Sequence, residues 1–362
     1  MKRVPSSILD KLSDRKKTNA YRSLMDYNHL IDFYSNDYLG VAKWNSSGDH
    51  PQGSTGSRLI SGNFSRTEEI EQYLAGFFGM DSGILFNSGY DANLGLLSAL
   101  GLKGDTILYD EYVHASIRDG IRMGNASAFS FYHNDVSSLK DKLGRAKGNK
   151  YVVIETVYSM DGDQAPLKDI LHVCEQFDAY LIVDEAHSGG IYGTNGRGIV
   201  SAQDLNDQIF AKVITFGKAY GSHGAVILGG HELRAFLINF SRSLIYTTAL
   251  SPHSQERIYA AVNKVAEMDK EREILMENIM YFKEMIKGPM TDVLPSNSPI
   301  QSLMVPGNES ARKLADKILE AGFAVKAILS PTVPAGKERL RFCLHSYNTA
   351  QEIRKLVEII HG

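Results

Sequence analysis

A series of short apolar runs, each closing on polar residues, constrains the fold more than any other feature of this chain. Gly83–Phe86, Thr106–Tyr109, Lys150–Glu155, Tyr180–Asp184, Val213–Phe216 and Ala225–Leu228 read as strands. Their apolar residues are continuous rather than alternating, as in strands covered on both faces. Helical stretches separate most of them, which predicts an α/β fold with a mostly parallel sheet covered by helices. The Gly- and Ser-rich stretch 53–63 reads as a loop, and Ser65 with Glu68 reads as a capping box for the helix after it.

The pattern changes after about residue 235. A long helical region is expected over 252–287, then a strand at Ile300–Val305, a helix over 309–321, strands at Phe323–Ile328 and Arg339–His345, and a last helix opened by Thr349 and Glu352. The expected division is an N-terminal arm over 1–40, a large domain over 41–235, and the long helix with a smaller C-terminal α/β domain over 236–362.

Composition excludes several classes. The net charge of −3 gives no basic footprint for nucleic acid. Cys174 and Cys343 form no CxxC motif, which argues against a disulfide framework or a zinc site and suits a reducing cytoplasm. No apolar run is long enough for a membrane span, and the charged N-terminus lacks the apolar segment of a signal peptide.

In open α/β sheets, ligands sit beyond the carboxyl ends of the strands. Here those ends are Asn87-Ser-Gly-Tyr90, Asp110–His114, Glu155–Asp161, Asp184–His187 and Thr215–Lys218. Lys218 follows Gly217 and is crowded by Ala219, Gly221 and Gly224, small residues that let backbone approach a ligand. An amine in such a pocket is a candidate Schiff-base nucleophile. Asp184 ends a central strand, where a carboxylate needs a partner. Asp184-Glu-Ala-His187 matches a helicase DEAH box, but no G-x-x-x-x-G-K-[ST] exists to hold phosphates, and no G-x-G-x-x-G stands in the chain. Ser88-Gly89-Tyr90 leads from a strand into a helix, a turn whose N–H groups attract phosphate. With His114 as an imidazole near these groups, the set points to pyridoxal phosphate. The cofactor needs a lysine for its aldehyde, an acid for its ring nitrogen and donors for its phosphate.

The motifs Ser35-Asn-Asp-Tyr-Leu-Gly40, Gly53-Ser-Thr-Gly-Ser-Arg58, Ser159-Met-Asp-Gly-Asp163, Val183-Asp-Glu-Ala-His187 and Thr215-Phe-Gly-Lys218 resemble those of the α-oxoamine synthases, fold-type I pyridoxal-phosphate enzymes. The resemblance runs from about residue 30 to the C-terminus. It implies that Lys218 is the Schiff-base lysine, Asp184 the acid on the pyridine nitrogen, His114 the histidine on the ring face, and His187 and Ser159 the groups at the ring hydroxyl. It implies that Ser88, Gly89 and Tyr90 bind the phosphate with Thr215 beside them. Thr248 would reach the site of a neighbouring subunit in a homodimer with shared sites. Asn36 and Arg341 would hold the amino-acid substrate, with Arg339, two residues back on the same strand face, as the competing guanidinium. The reaction implied is a decarboxylative Claisen condensation of an amino acid with an acyl thioester, with Lys218 moving the α-proton. Within the family the chain is most similar to the branch that joins a pimeloyl thioester to L-alanine in biotin synthesis. Serine palmitoyltransferase, glycine C-acetyltransferase and 5-aminolevulinate synthase use the same groups and stand as alternatives, with a non-catalytic cofactor-binding regulator behind them. The chain departs from the family pattern in a short N-terminal arm, which bears on acyl contacts from Arg22, and in His223, where relatives carry a small residue.

Overall fold

The structure is a computed structural model that describes residues 6–22, 26–27, 29–44, 48, 50–288 and 291–362. Residues 1–5, 23–25 and 28 of the expected arm lie outside the described residues. The chain divides into two compact units. One holds Leu39–Ser159 and Gln164–Arg272; the other holds the described residues up to Tyr38, Met160–Asp163 and Glu273–Gly362.

β1 (Ile31–Asp32) belongs to the smaller unit. The larger unit is built on β2 (Ser82–Phe86), β3 (Thr106–Asp110), β4 (Ser127–Phe131), β5 (Lys150–Glu155), β6 (Ala179–Asp184), β7 (Ala211–Thr215) and β8 (Ala225–Gly229). They form one seven-stranded sheet in the order β2-β8-β7-β6-β5-β3-β4. Only β8 runs against its neighbours; the other six strands point the same way. The expected parallel sheet is therefore present, and the continuous apolar runs have their reason. Tyr151 and Val153 of β5 pack into one core with Leu96 and Ile117. Val152 and Ile154 pack into another with Leu139 and Leu171. Alternate side chains on a strand point to opposite faces, so a strand covered on both sides is apolar throughout.

Three local expectations need correction. The helix after the Gly-rich loop spans Ser65–Phe77 with Phe64 at its cap and no side-chain cap bond, so the Ser65–Glu68 box does not form. Glu68 instead accepts from the Asn63 amide at 2.9 Å. The long helix is two helices, Pro252–Ala266 and Asp269–Met285. Arg272 reaches back to donate to the Val265 carbonyl at 2.6 Å and pairs with Asp269. The Val265 carbonyl also accepts from the Met268 N–H at 3.1 Å, so Arg272 adds a further donor at this helix end. The edge strand β4 was not expected at all, because its burial is half exposed and its sequence, Ser-Ala-Phe-Ser-Phe, is half polar.

In the smaller unit, β9 (Ile300–Met304), β11 (Lys326–Ile328) and β12 (Arg339–Cys343) form an antiparallel sheet in the order β11-β12-β9. The expected strand Phe323–Ile328 is split: β10 (Phe323–Ala324) pairs with β1 instead. Helices Ser6–Lys17, Asn308–Glu320 and Ala350–His361 and most of Asp269–Met285 also belong to this unit, and the Thr349–Glu352 capping box forms as expected. The division also differs from the expected boundaries. Residues 236–272 pack with the larger unit, and the residues before Leu39 belong with the C-terminal one. The backbone explains the second point. Ile31 pairs with Phe323 through β1, and Phe33 accepts from the Cys343 N–H at 2.9 Å.

Candidate active site

The carboxyl ends of β2, β3, β5, β6 and β7 lie along one edge of the large sheet, and antiparallel β8 begins at that same edge. A cavity of about 220 Å³ opens there. Its lining includes Ser88, Gly89 and Tyr90 after β2, His114 after β3, Glu155 of β5, Asp184 of β6, and Thr215 and Lys218 of the β7 turn. The structure thus brings together eight residues that the sequence placed on separate strand ends, though only Glu155 among them had been given no role.

Lys218 sits in a tight return between β7 and β8. Phe216 N–H donates to the Gly224 carbonyl at 2.9 Å, and Gly221 N–H to the Lys218 carbonyl at 2.8 Å. Gly221 has φ +53°, and a Cβ there would lie 2.2 Å from the Ala42 nitrogen. No other residue type fits that approach. The return points the Lys218 amine at His187, with 2.8 Å between Nζ and Nε2.

Asp184 is buried and its two oxygens are both held. Oδ1 accepts from the Ala186 N–H at 2.9 Å and Oδ2 from the Asn93 amide at 2.8 Å. The same Asn93 amide donates to Ser116 Oγ at 3.1 Å. Ser116 in turn fixes His114: its N–H donates to His114 Nδ1 at 3.2 Å, with the hydroxyl 2.8 Å from the same nitrogen. A nitrogen that accepts a backbone N–H carries no proton of its own, so the imidazole is neutral with its single proton on Nε2. Burial lowers the His114 pKa, opposed by Asp184 and aided by Lys218.

Gly89 opens the helix Gly89–Leu100, and a Cβ on it would lie 2.4 Å from Thr215 Cγ2. Only a glycine lets this helix start against β7. The Ser88 hydroxyl caps the helix, accepting from Asp91 N–H at 3.1 Å. Tyr90 donates to Asp119 at 2.5 Å. Thr215 Oγ1 is buried with no hydrogen-bond partner, an arrangement that calls for a ligand atom.

The remaining expected residues are not among those that line the cavity. Ser159 is buried in the turn after β5 and His187 in the turn after β6; neither lines the cavity. Thr248 is exposed, its carbonyl accepting from the Asn87 amide at 2.8 Å, and it too is outside the lining. In the smaller unit, Arg341 is buried and donates to the Asn36 amide oxygen at 3.0 Å. Arg339 pairs with Asp161. Arg22 donates to Thr332 Oγ1 at 3.1 Å. His223 joins the cavity lining beside Gly224, a place the sequence did not assign it. The sequence also passed over Asn93 and Glu155. Asn93 lies inside a helix, where nothing but the fold turns it toward Asp184. Glu155 was visible as the last residue of a strand, the same signal that singled out Asp184.

The model of the aminotransferase class I and II family matches residues 28–360, and the chain belongs to that family. Its relatives narrow the class. The 8-amino-7-oxononanoate synthase of Emericella nidulans is 38% identical, aligned over 97% of this chain and 92% of its own. A solved 8-amino-7-oxononanoate synthase from Francisella tularensis superposes with a TM-score of 0.79 at 31% identity, covering 92% of this chain and 97% of that one. A solved structure of SPT with PLP gives a TM-score of 0.89 at 30% identity, covering 99% and 97%. The resemblance to the α-oxoamine synthases is borne out by these relatives. No helix among the described residues is long and apolar enough to cross a membrane.

The Asn93 amide is the link between Asp184 and Ser116. Asn93→Ala should leave a buried carboxylate oxygen without its donor and destabilise the protein by about 2–3 kcal/mol. Urea unfolding should show a lower midpoint at unchanged slope; an unchanged midpoint would remove Asn93 from the site.

Proposed function

We propose that this chain condenses L-alanine with a pimeloyl thioester, with loss of carbon dioxide, to give 8-amino-7-oxononanoate. The observation that carries the reading is the 38% identity to a protein of that name across 97% of the chain. SPT fits less well as a guide to activity, because the fold likeness comes at 30% identity.

The cavity residues fit pyridoxal phosphate. Thr215 Oγ1 is a buried, unpartnered hydroxyl beside a helix start that only glycine permits. An amine and a carboxylate, Lys218 and Asp184, line the same cavity. Lys218 would hold the cofactor's aldehyde carbon, Asp184 its ring nitrogen, His114 its ring face, and His187 and Ser159 its ring hydroxyl. Ser88, Gly89, Tyr90 and Thr215 would hold its phosphate. When bound, the cofactor supplies an electron sink for negative charge at the substrate α-carbon.

The chain's own groups do the rest. Lys218 takes the α-proton and later returns one, and the His187 imidazole within 2.8 Å steers its amine. Asp184, fixed by Asn93 and the Ala186 N–H, keeps a proton on the ring nitrogen by charge attraction. Arg341 takes the substrate carboxylate and Asn36 orients that guanidinium. Arg339 is the weaker candidate, since Asp161 already pairs with it. A cytoplasmic setting suits two buried cysteines that form no disulfide.

We further propose a homodimer with shared sites. Thr248 is exposed and outside the cavity of its own chain, which suits a hydroxyl lent to a partner's phosphate. Thr248→Glu and Lys218→Ala should each inactivate the enzyme. Refolded together, they should recover up to about a quarter of wild-type activity, since mixed dimers confine both lesions to one site. Heterodimers that form but stay inactive would place Thr248 in its own chain's site.

The activity itself is tested by product mass spectrometry, crossing alanine, glycine and serine with acetyl, pimeloyl and palmitoyl thioesters. The amino ketone from alanine and pimeloyl thioester should dominate. Palmitoyl condensation with serine in its place would reassign the enzyme.

A further inference from the structure

Glu155 is the one acidic lining residue that the proposed chemistry does not use. It ends β5 directly beside Asp184, which ends β6; the two are register partners on adjacent parallel strands. Paired residues on neighbouring strands project to the same face, so two carboxyl groups share one buried corner. Glu155 is 3% exposed and Asp184 5% exposed. Glu155 Oε1 accepts from the His114 backbone N–H at 2.5 Å.

These bonds form a ring around the cavity wall. Glu155 holds the His114 main chain, and Ser116 holds its imidazole. Asn93 bridges Ser116 to Asp184. Asp184 then lies next to Glu155 across the sheet. His114 is also the N-cap of the helix Ala115–Met123, so a displaced His114 backbone would move both the ring and the helix start.

We propose that Glu155 is a positioning residue: a proton-bearing carboxyl that pins His114 and leaves Asp184 as the single anion of the pair. The role of Asp184 in this inference rests on the cofactor reading above. Two adjacent buried carboxylates cannot both ionise cheaply, and one retains its proton. Asp184 has two donors aimed at its oxygens, whereas Glu155 has one, so the anion settles on Asp184. The charged and titratable groups around Glu155 are Asp184, Lys218, His114 and Asp110. Burial, then Asp184, raises the Glu155 pKa to about 8, while Lys218 and the His114 N–H pull the other way. A second anion in this corner would compete with Asp184 for any cation held there.

Three variants separate the proton from the side chain. Glu155→Gln keeps an acceptor for the His114 N–H and carries no charge. Glu155→Asp falls short of that N–H, and Glu155→Ala removes the acceptor.

The first readout needs no cofactor: urea unfolding of the cofactor-free protein between pH 5.5 and 7.5. The folded value lies above the ordinary 4.5. The native state therefore keeps a proton that the unfolded chain has released, and this contribution is full below 4.5 and falls as pH rises toward 8. The unfolding constant of wild type relative to Glu155→Gln should grow about tenfold per pH unit across this range.

The second readout is turnover of the cofactor-loaded enzyme with alanine and a pimeloyl thioester. Glu155→Ala and Glu155→Asp should lose about tenfold or more through a displaced His114. Glu155→Gln should recover most of that loss. The inference is overturned if Gln is as impaired as Ala, or if wild type and Gln unfold in parallel across pH. A wild type without condensation activity would instead sink the functional reading, and the cofactor-free arm would still decide the proton on Glu155.

Discussion

The Asp184 carboxylate is buried at the end of a central strand, and much of the larger unit is arranged around satisfying it. An ionised carboxyl in that position is unfavourable unless donors and a cation face it. The Ala186 N–H and the Asn93 amide supply two donors. Asn93 can reach only because the helix Gly89–Leu100 starts hard against Thr215, where Gly89 leaves no side chain to obstruct it. The requirements of one carboxylate thus propagate to a strand end, a helix start and the choice of glycine.

β7 and the turn after it carry two lysines of opposite character. Lys212, within β7, is fully buried; it donates to the Phe78 carbonyl at 2.9 Å and to Asn206 at 2.8 Å, with Glu185 at 3.9 Å. Burial lowers its pKa to about 8. All its directions are occupied by the protein, so it is a packing element. Lys218 stands six residues on, past the strand end, where the Gly217–Gly224 return opens it to the cavity. Of the two, Lys218 is the lysine whose surroundings leave space for a ligand.

Much of this was readable without coordinates. A parallel sheet collects its carboxyl ends at one edge, so Ser88, His114, Asp184, Thr215 and Lys218 could be placed together from strand ends alone. The Thr349–Glu352 box announced its helix, because both partners of a capping box are local in sequence. What stayed hidden depended on distant partners. Ser65 with Glu68 carries the same local signature, but Asn63 takes Glu68 and the cap moves to Phe64. At the break near Glu267, Arg272 of the second helix reaches back to Val265 of the first, a contact with no local signature. Strand β4 lies at the sheet edge, where solvent on one side erases the apolar run that marks its neighbours. Asn93 looks like any polar residue of a helix until tertiary packing faces it to Asp184.

Lys218 is the residue proposed to carry pyridoxal phosphate in this cavity. The most direct measurement is borohydride reduction of the protein saturated with pyridoxal phosphate, followed by peptide mass spectrometry. Visible absorbance before reduction and a reduced adduct on Lys218, with Lys212 unmodified, is the predicted result. An adduct on Lys212 or any other lysine, or no visible absorbance with excess cofactor, would contradict it.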